Sequence, residues 1–117
     1  MATKEELSAS LEGFCGSCNS NEQLKSMNLD WNRRIGVKAN DIDAGFTITY
    51  QDGVAQLDPE FSEDADLKVE SDSETLVSVF YGEVTPAQPY ADGTLRILGS
   101  EDDILRLDFV SLLIWGE

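Results

Sequence analysis

Residues 46–57 read FTITYQDGVAQL, and this stretch predicts the centre of a β-sheet. Its first half alternates apolar residues with threonines, which is the pattern of a strand with one buried face. Asp52-Gly53 then favours the positive backbone angles of a tight two-residue hairpin turn. Val54–Leu57 would be the returning strand. The stretch therefore predicts two antiparallel neighbours in one sheet.

The other elements are predicted from hydrophobic periodicity and from helix start and stop signals. Further strands are expected at Trp31–Val37, around Leu67 and Val69, and at Thr94–Leu98. Helices are expected after a Thr3/Glu6 capping box and over Ser20–Met27, where Ser20 and Gln23 repeat that spacing. Two more are expected from a Ser71/Glu74 capping box to Gly82 and after Ser100, which would cap the last helix. Pro86 and Pro89 exclude a long regular helix between Gly82 and Gly93.

The resulting order, ααββββαβα, predicts an α+β fold. Residues 1–117 would form a single domain with a five-stranded, mostly antiparallel sheet covered on one face by helices. The helix between the fourth and fifth strands predicts that those two strands are parallel, because a single crossover returns the chain to the same end of the sheet.

Composition narrows the range of partners. The chain holds 23 acidic and only 8 basic residues, a formal net charge of −15. Such a surface repels phosphate backbones, which predicts no nucleic-acid partner, and it disfavours anionic membranes. The excess of acidic residues could keep the protein soluble, bind a basic partner protein or suit a salt-rich cytoplasm. Composition alone does not decide among these three explanations.

Two features bear on location. No apolar run reaches the ~20 residues that cross a bilayer, so no stable membrane insertion is predicted. Met1–Leu11 is polar and charged, unlike a secretory signal, and a cytoplasmic protein is therefore expected.

Dispersed positions between Asp66 and Leu113 carry a resemblance to a known family. They are the strand Asp66–Val69, then Gly82, Pro86, Tyr90 and Gly93 in that spacing, then Thr94–Gly99, then the closing helix Leu105–Leu113. This order resembles the C-terminal half of a sterol-carrier-protein-2 domain. One departure is Pro89, where the family usually has alanine before the tyrosine. The first half of the chain matches only in the order and spacing of its elements.

The resemblance implies an apolar tunnel between the sheet and the helices that binds a sterol, fatty acid or acyl-CoA. It implies no enzymatic activity and no cofactor. No metal site is expected within one chain, because four ligands are needed and the chain has no histidine and two cysteines; a zinc ion shared across a dimer is left open. Burying each methylene of such an apolar molecule contributes about 0.8 kcal/mol. Residues predicted to line the tunnel, each with plain core packing as the alternative, are Leu76, Val79, Phe80, Tyr90, Leu95, Ile97, Leu105, Phe109, Leu112 and Leu113.

A second hypothesis is an interaction module of the same fold with a closed tunnel. Its apolar end, Leu112–Trp115, would contact either a second copy or an enzyme that handles acyl groups.

A third hypothesis is thiol redox chemistry at Cys15-Gly16-Ser17-Cys18. This C-x-x-C pair follows no strand and lies late in a helix, where the helix dipole opposes a thiolate, so a simple helix-end pair is favoured. The chain has no histidine, which excludes Ser-His-Asp and Cys-His catalysis within it.

Two clusters of charged residues are further candidates for a binding site. Five acidic residues lie between Asp58 and Asp66, but their spacing does not match a calcium loop, which favours a solvated loop. Arg33 and Arg34 either hold an anionic head group or neutralise nearby carboxylates.

Overall fold

A computed structural model describes residues 2–115, without the side chain of Trp115. The helices are α1 (Lys4–Ser20), α2 (Glu22–Met27), α3 (Ser73–Phe80), α4 (Ala87–Ala91) and α5 (Glu101–Trp115). The strands are β1 (Arg33–Ala39), β2 (Ala44–Gln51), β3 (Val54–Asp58), β4 (Leu67–Ser71) and β5 (Arg96–Leu98). The predicted α+β order is confirmed, with the short α4 as an addition between Gly82 and Gly93.

The sheet has the strand order β3-β2-β1-β4-β5. The predicted hairpin joins β2 and β3 as antiparallel neighbours. Asp52 and Gly53 have φ values of 54° and 82°, which is the left-handed pair that a two-residue turn of this kind requires. β1 also pairs antiparallel with β2, so the mostly antiparallel sheet is confirmed.

The predicted parallel pair was wrong. β4 and β5 are antiparallel, and the parallel neighbours are β1 and β4. The reason is that α3 and α4 together return the chain to the end of β4 from which it left. Ser71, the last residue of β4, donates its hydroxyl proton to the Thr94 carbonyl at 2.8 Å, two residues before β5 begins.

The segment from Pro59 to Asp66 makes the crossing that sets β4 parallel to β1. It runs over the sheet face opposite the helices, where the Phe61 ring lies on two glycines. A Cβ on Gly36 would lie 2.8 Å from the Phe61 ring, and one on Gly45 would lie 2.6 Å from Phe61 Cβ. Both positions therefore require glycine, because Phe61 lies too close for any side chain. Thr47 holds the same segment through a hydrogen bond to the Glu60 carbonyl.

The helices cover the other face of the sheet and enclose the core. The largest buried side chains come from α1, α2, α3, α5 and the inner face of the sheet: Leu7, Leu11, Phe14, Leu24, Ile35, Ile48, Tyr50, Leu67, Leu76 and Val110.

Two predicted caps are confirmed and two are displaced by one residue. Thr3 with Glu6 forms the capping box of α1, and the Ser100 hydroxyl accepts a hydrogen bond from the Asp103 N–H. Asn21, rather than Ser20, caps α2, and Asp72, rather than Ser71, caps α3. Ser20 and Ser71 donate to backbone carbonyls instead, so neither hydroxyl serves as a cap.

The first turn of α5 is fastened to the start of β1 by a buried carboxylate. Asp103 accepts hydrogen bonds from Trp31 Nε1 at 3.0 Å and from Arg33 Nε at 3.1 Å. Burial alone would raise the pKa of this carboxyl. The hydrogen bonds from Trp31, Arg33 and Ser100 outweigh it and hold the pKa below its usual value. α5 therefore has a fixed position against the core.

Candidate apolar binding site

An apolar pocket of about 390 Å³ lies between α1, α3, α4, the inner face of β4 and β5, and α5. Its floor is built from five buried residues, Phe14, Val69, Val79, Phe80 and Leu95. Phe14, Val79 and Phe80 are buried side chains of α1 and α3. Val69 lies in β4, and Leu95 directly precedes β5. The floor is therefore continuous with the hydrophobic core of the fold.

The mouth of the pocket lies between α4 and α5 and is open to solvent. Tyr90 on α4 is 48% exposed and Leu105 on α5 is 63% exposed, although both line the pocket. Ala87 and Asp108 are also exposed at this rim. A molecule in the pocket would thus keep one end near water while its remainder contacts the floor.

The predicted lining residues divide into three groups. Six of them line the pocket: Val79, Phe80, Tyr90, Leu95, Ile97 and Leu105. Leu76 is fully buried in the core, and Leu113 packs against that core. Phe109 and Leu112 lie outside the pocket wall and are 48% and 59% exposed.

Sequence reasoning missed several lining residues. They are Phe14, Val69, Pro86, Ala87, Ile104, Leu107, Asp108 and Ser111. In the sequence, Phe14 follows Leu7 and Leu11 at helical spacing and Val69 alternates with charged neighbours, but neither pattern separates a pocket wall from plain core. In the sequence, Asp108 and Ser111 only interrupt a largely apolar helix. Their position three residues apart is the signal that they share one face.

The outward face of α5 carries an exposed apolar stripe, formed by Leu105, Phe109 and Leu112. Their spacing of four and three residues aligns them on one side of the helix. Exposed Asp102 and Asp108 flank the stripe on its two sides. Arg106, the one cation of α5, points elsewhere, because its guanidinium lies 5.4 Å from the Trp31 ring and donates to Asn28 Oδ1.

The two cysteines lie within α1 and are buried, with exposed fractions of 6% and 2% for Cys15 and Cys18. Cys18 Sγ and the Tyr50 hydroxyl share a hydrogen bond of 2.9 Å. Burial raises the pKa of Cys15 to about 12, with further contributions from Cys18 and Glu12. It raises the pKa of Cys18 to about 11, although the bond to Tyr50 opposes the rise. Both thiols are thus protonated at neutral pH, which disfavours thiolate chemistry.

The two charged clusters are engaged in structural contacts. Arg33 pairs with Asp103. The backbone N–H of Arg34 donates to Asp66 Oδ2 at 2.9 Å, and its guanidinium donates to the Asp64 carbonyl. Glu63 lies 3.8 Å from the Lys68 ammonium. Within residues 2–115, no three carboxylates or thiols are grouped so as to hold a metal ion. Neither arginine lines the apolar pocket.

Comparison with known proteins places this architecture in a family. Residues 11–108 match the sequence model of the SCP-2 sterol transfer family. The chain belongs to this family. Membership supports lipid-carrier binding in general. No curated protein sequence matches the chain significantly. Across the described residues, no helix is both long and apolar enough to cross a membrane.

Solved structures share the SCP-2 fold at low identity. The sterol carrier protein domain 2 of Helicoverpa armigera superposes with a TM-score of 0.70 at 18% identity, over 87% of this chain and 81% of that one. The ubiquinone synthesis protein UbiJ-SCP2 superposes with a TM-score of 0.71 at 12% identity, over 92% of this chain and 94% of that one.

A third likeness concerns one part of a much larger protein. The inverting sec-alkylsulfatase Pisa1 from Pseudomonas sp. gives a TM-score of 0.61 at 15% identity. The match covers 77% of this chain and 14% of the sulfatase. The SCP-2 fold therefore also forms one segment of an enzyme chain.

Proposed function

We propose that this protein, as one SCP-2 domain over residues 1–117, binds a single long apolar molecule in the apolar pocket and carries it unchanged. The observation that carries the proposal is the pocket, an apolar recess of about 390 Å³ with a buried floor and an exposed mouth. Small-molecule pockets commonly measure about 300–1,000 Å³ and have mostly apolar walls. Candidate ligands are sterols, fatty acids and other acyl chains.

The chemistry of the wall supports carriage rather than catalysis. Among the described lining residues, the polar side chains are Tyr90, Asp108 and Ser111. Covalent catalysis needs a nucleophile beside a base, and paired-carboxylate hydrolysis needs two acids. The Ser111 hydroxyl donates its proton to the Leu107 carbonyl rather than to Asp108, and Asp108 is the single carboxylate of the wall. Binding would instead draw on apolar contact, and each further buried methylene should tighten it by up to about fourfold.

A pocket-filling substitution tests the proposal. Ala87 is exposed on α4 and lines the mouth, so Ala87→Phe would occupy the recess without disturbing the buried floor. Ala91 is exposed on the same helix and lies outside the wall, which makes Ala91→Phe a matched control. We expect a fluorescent sixteen-carbon probe to bind the wild type and the control alike, and Ala87→Phe at least about tenfold more weakly. Equal binding by all three would reject the pocket as the site.

A second candidate function is favoured by the exposed stripe on α5. Its apolar residues are flanked by carboxylates, and the net charge of the chain is −15. This combination is complementary to a partner protein that presents an amphipathic helix with basic edges. A second copy of this chain would instead bring like charges together, and the side chain of Trp115, once predicted to join such a contact, lies outside the described residues.

A designed Leu/Lys amphipathic peptide tests the stripe. We expect it to bind the wild type, more weakly as salt is raised, and not to bind the variant Phe109→Ser/Leu112→Ser. Leu29 is 58% exposed and is not part of the stripe, so Leu29→Ser serves as the control for the loss of one exposed apolar side chain. Loss of binding in the control would reject the stripe as the docking face. A stable dimer in light scattering that Phe109→Ser/Leu112→Ser dissolves would replace the basic partner with a second copy.

A further inference from the structure

We propose that the ligand of the apolar pocket bears an uncharged hydroxyl or a cationic head group, and that Asp108 selects it against a carboxylate or phosphate. The inference rests on the proposed function, because it specifies which class of long apolar molecule the same pocket takes. Its basis is the polar chemistry at the mouth of the pocket.

The α5 side of the mouth presents hydrogen-bond acceptors. Asp108 and Ser111 are three residues apart and therefore neighbours on one helix face, and both line the pocket. The Ser111 hydroxyl donates its proton to the Leu107 carbonyl at 3.1 Å, which leaves its oxygen free to accept. An ionised aspartate only accepts. A head group that donates, such as a hydroxyl or an ammonium, fits these two partners.

No counter-charge for an anion lies in the pocket wall. The described lining residues include neither lysine nor arginine. Arg106, the cation nearest in sequence, is held away by hydrogen bonds to the Met27 carbonyl and Asn28 Oδ1 and by the Trp31 ring. Carboxylates and phosphates in protein sites are ordinarily met by charged donors. The one hydroxyl outside α5, that of Tyr90 on α4, supplies no charge.

The expected difference in affinity between an uncharged and an anionic ligand follows from Coulomb repulsion by Asp108 at an exposed site. Two like charges about 4–6 Å apart in water-like surroundings weaken binding by about three- to sixfold, and a cation gains a similar factor. Asp108 is exposed, so the water-like figure applies. A sixteen-carbon alcohol should therefore bind more tightly than palmitate, and the matching amine more tightly still.

Displacement of a neutral fluorescent probe by hexadecanol, hexadecylamine and palmitate, each below its aggregation limit, tests the inference. Wild type should bind palmitate about three- to sixfold more weakly than hexadecanol, and Asp108→Asn should abolish that gap. Asp102 is exposed on the same helix but outside the pocket wall, so Asp102→Asn changes net charge equally and should leave the gap intact.

Three outcomes decide the matter. A gap closed by Asp108→Asn alone supports the inference. Palmitate binding as tightly as hexadecanol, a gap that persists in Asp108→Asn, or a gap closed equally by Asp102→Asn overturns it while the proposed function stands. If none of the three molecules displaces the probe, the proposed function and the inference are both overturned.

Discussion

The rings of Phe14 and Phe80 meet edge to face, with centroids 5.2 Å apart and planes at 80°. Phe14 belongs to α1 and Phe80 to the last turn of α3, so this contact joins the two helices beneath the apolar pocket. Both rings line the pocket and both are buried. The same pair thus contributes to the stability of the fold and to the shape of the site.

Phe80→Ala should lower the stability of the fold and enlarge the apolar pocket. Removing a buried ring typically costs about 3–5 kcal/mol, and the space it leaves adds to the pocket. We expect the free energy of unfolding in urea to fall by at least about 3 kcal/mol. Tyr81 is next in sequence, 50% exposed and outside the wall, so Tyr81→Ala should change stability by less than about 0.5 kcal/mol. A comparable loss in both variants would contradict the assigned packing.

Asp103 predicts a pH-dependent contribution to stability. Its pKa is lowered in the fold, so its contribution is complete above the unfolded value near 3.8 and is lost as pH falls through the folded value. Asp103→Asn should reduce the free energy of unfolding by about 1–3 kcal/mol at pH 7, since the bonds from Arg33 and Trp31 lose their charged acceptor. The difference from wild type should shrink below pH 3.8. A difference that stays constant down to pH 2 would contradict the role of the charge.

Two glycines should respond to alanine with opposite signs. At Gly45 the new Cβ would lie 2.6 Å from Phe61 Cβ, so Gly45→Ala should destabilise the fold by about 1–3 kcal/mol. Gly13 lies within α1 with nothing within 4 Å of the added carbon, so Gly13→Ala should stabilise by about 1 kcal/mol. Chemical denaturation of both variants measures the contrast. Stabilisation at Gly45 would argue against the crossing segment that packs on it.

The buried thiols should react slowly in the folded protein. With pKa values of about 12 and 11, Cys15 and Cys18 carry almost no thiolate at pH 8. We expect an aromatic disulfide reagent to label them only on the timescale of unfolding. Ser17 is exposed on the same helix, so Ser17→Cys should add one rapidly reacting thiol. Rapid labelling of the wild type at neutral pH would revive the redox hypothesis.

Local signals in the sequence were sufficient for the hairpin and for every element except the short α4. Asp52-Gly53 specifies its turn because few other residues adopt positive φ values in succession. The parallel pairing of β1 with β4 had no such local signal. The segment that makes this crossing packs Phe61 on glycines of two different strands, a contact that forms only once the sheet exists.

The candidate site was predictable only in part for a related reason. Apolar residues on α3, β5 and α5 have the same sequence pattern whether they pack in the core or line a recess. Leu76 and Phe80 illustrate this, since both face inward from α3 but only Phe80 reaches the pocket. The short α4 forms the other side of the mouth, and Pro86 at its N-cap with Pro89 inside it hid this helix from periodicity. Asp108 and Ser111 became interpretable only when α4 placed the mouth beside them.

Native mass spectrometry of freshly purified protein, followed by solvent extraction, tests the central claim most directly. We expect a discrete excess mass that extracts as one long apolar molecule and that is absent from Ala87→Phe but present in Ala91→Phe. A clean mass for the unliganded chain, with no sixteen-carbon alcohol, amine or acid retained after addition, would contradict the claim that the pocket is a lipid-binding site.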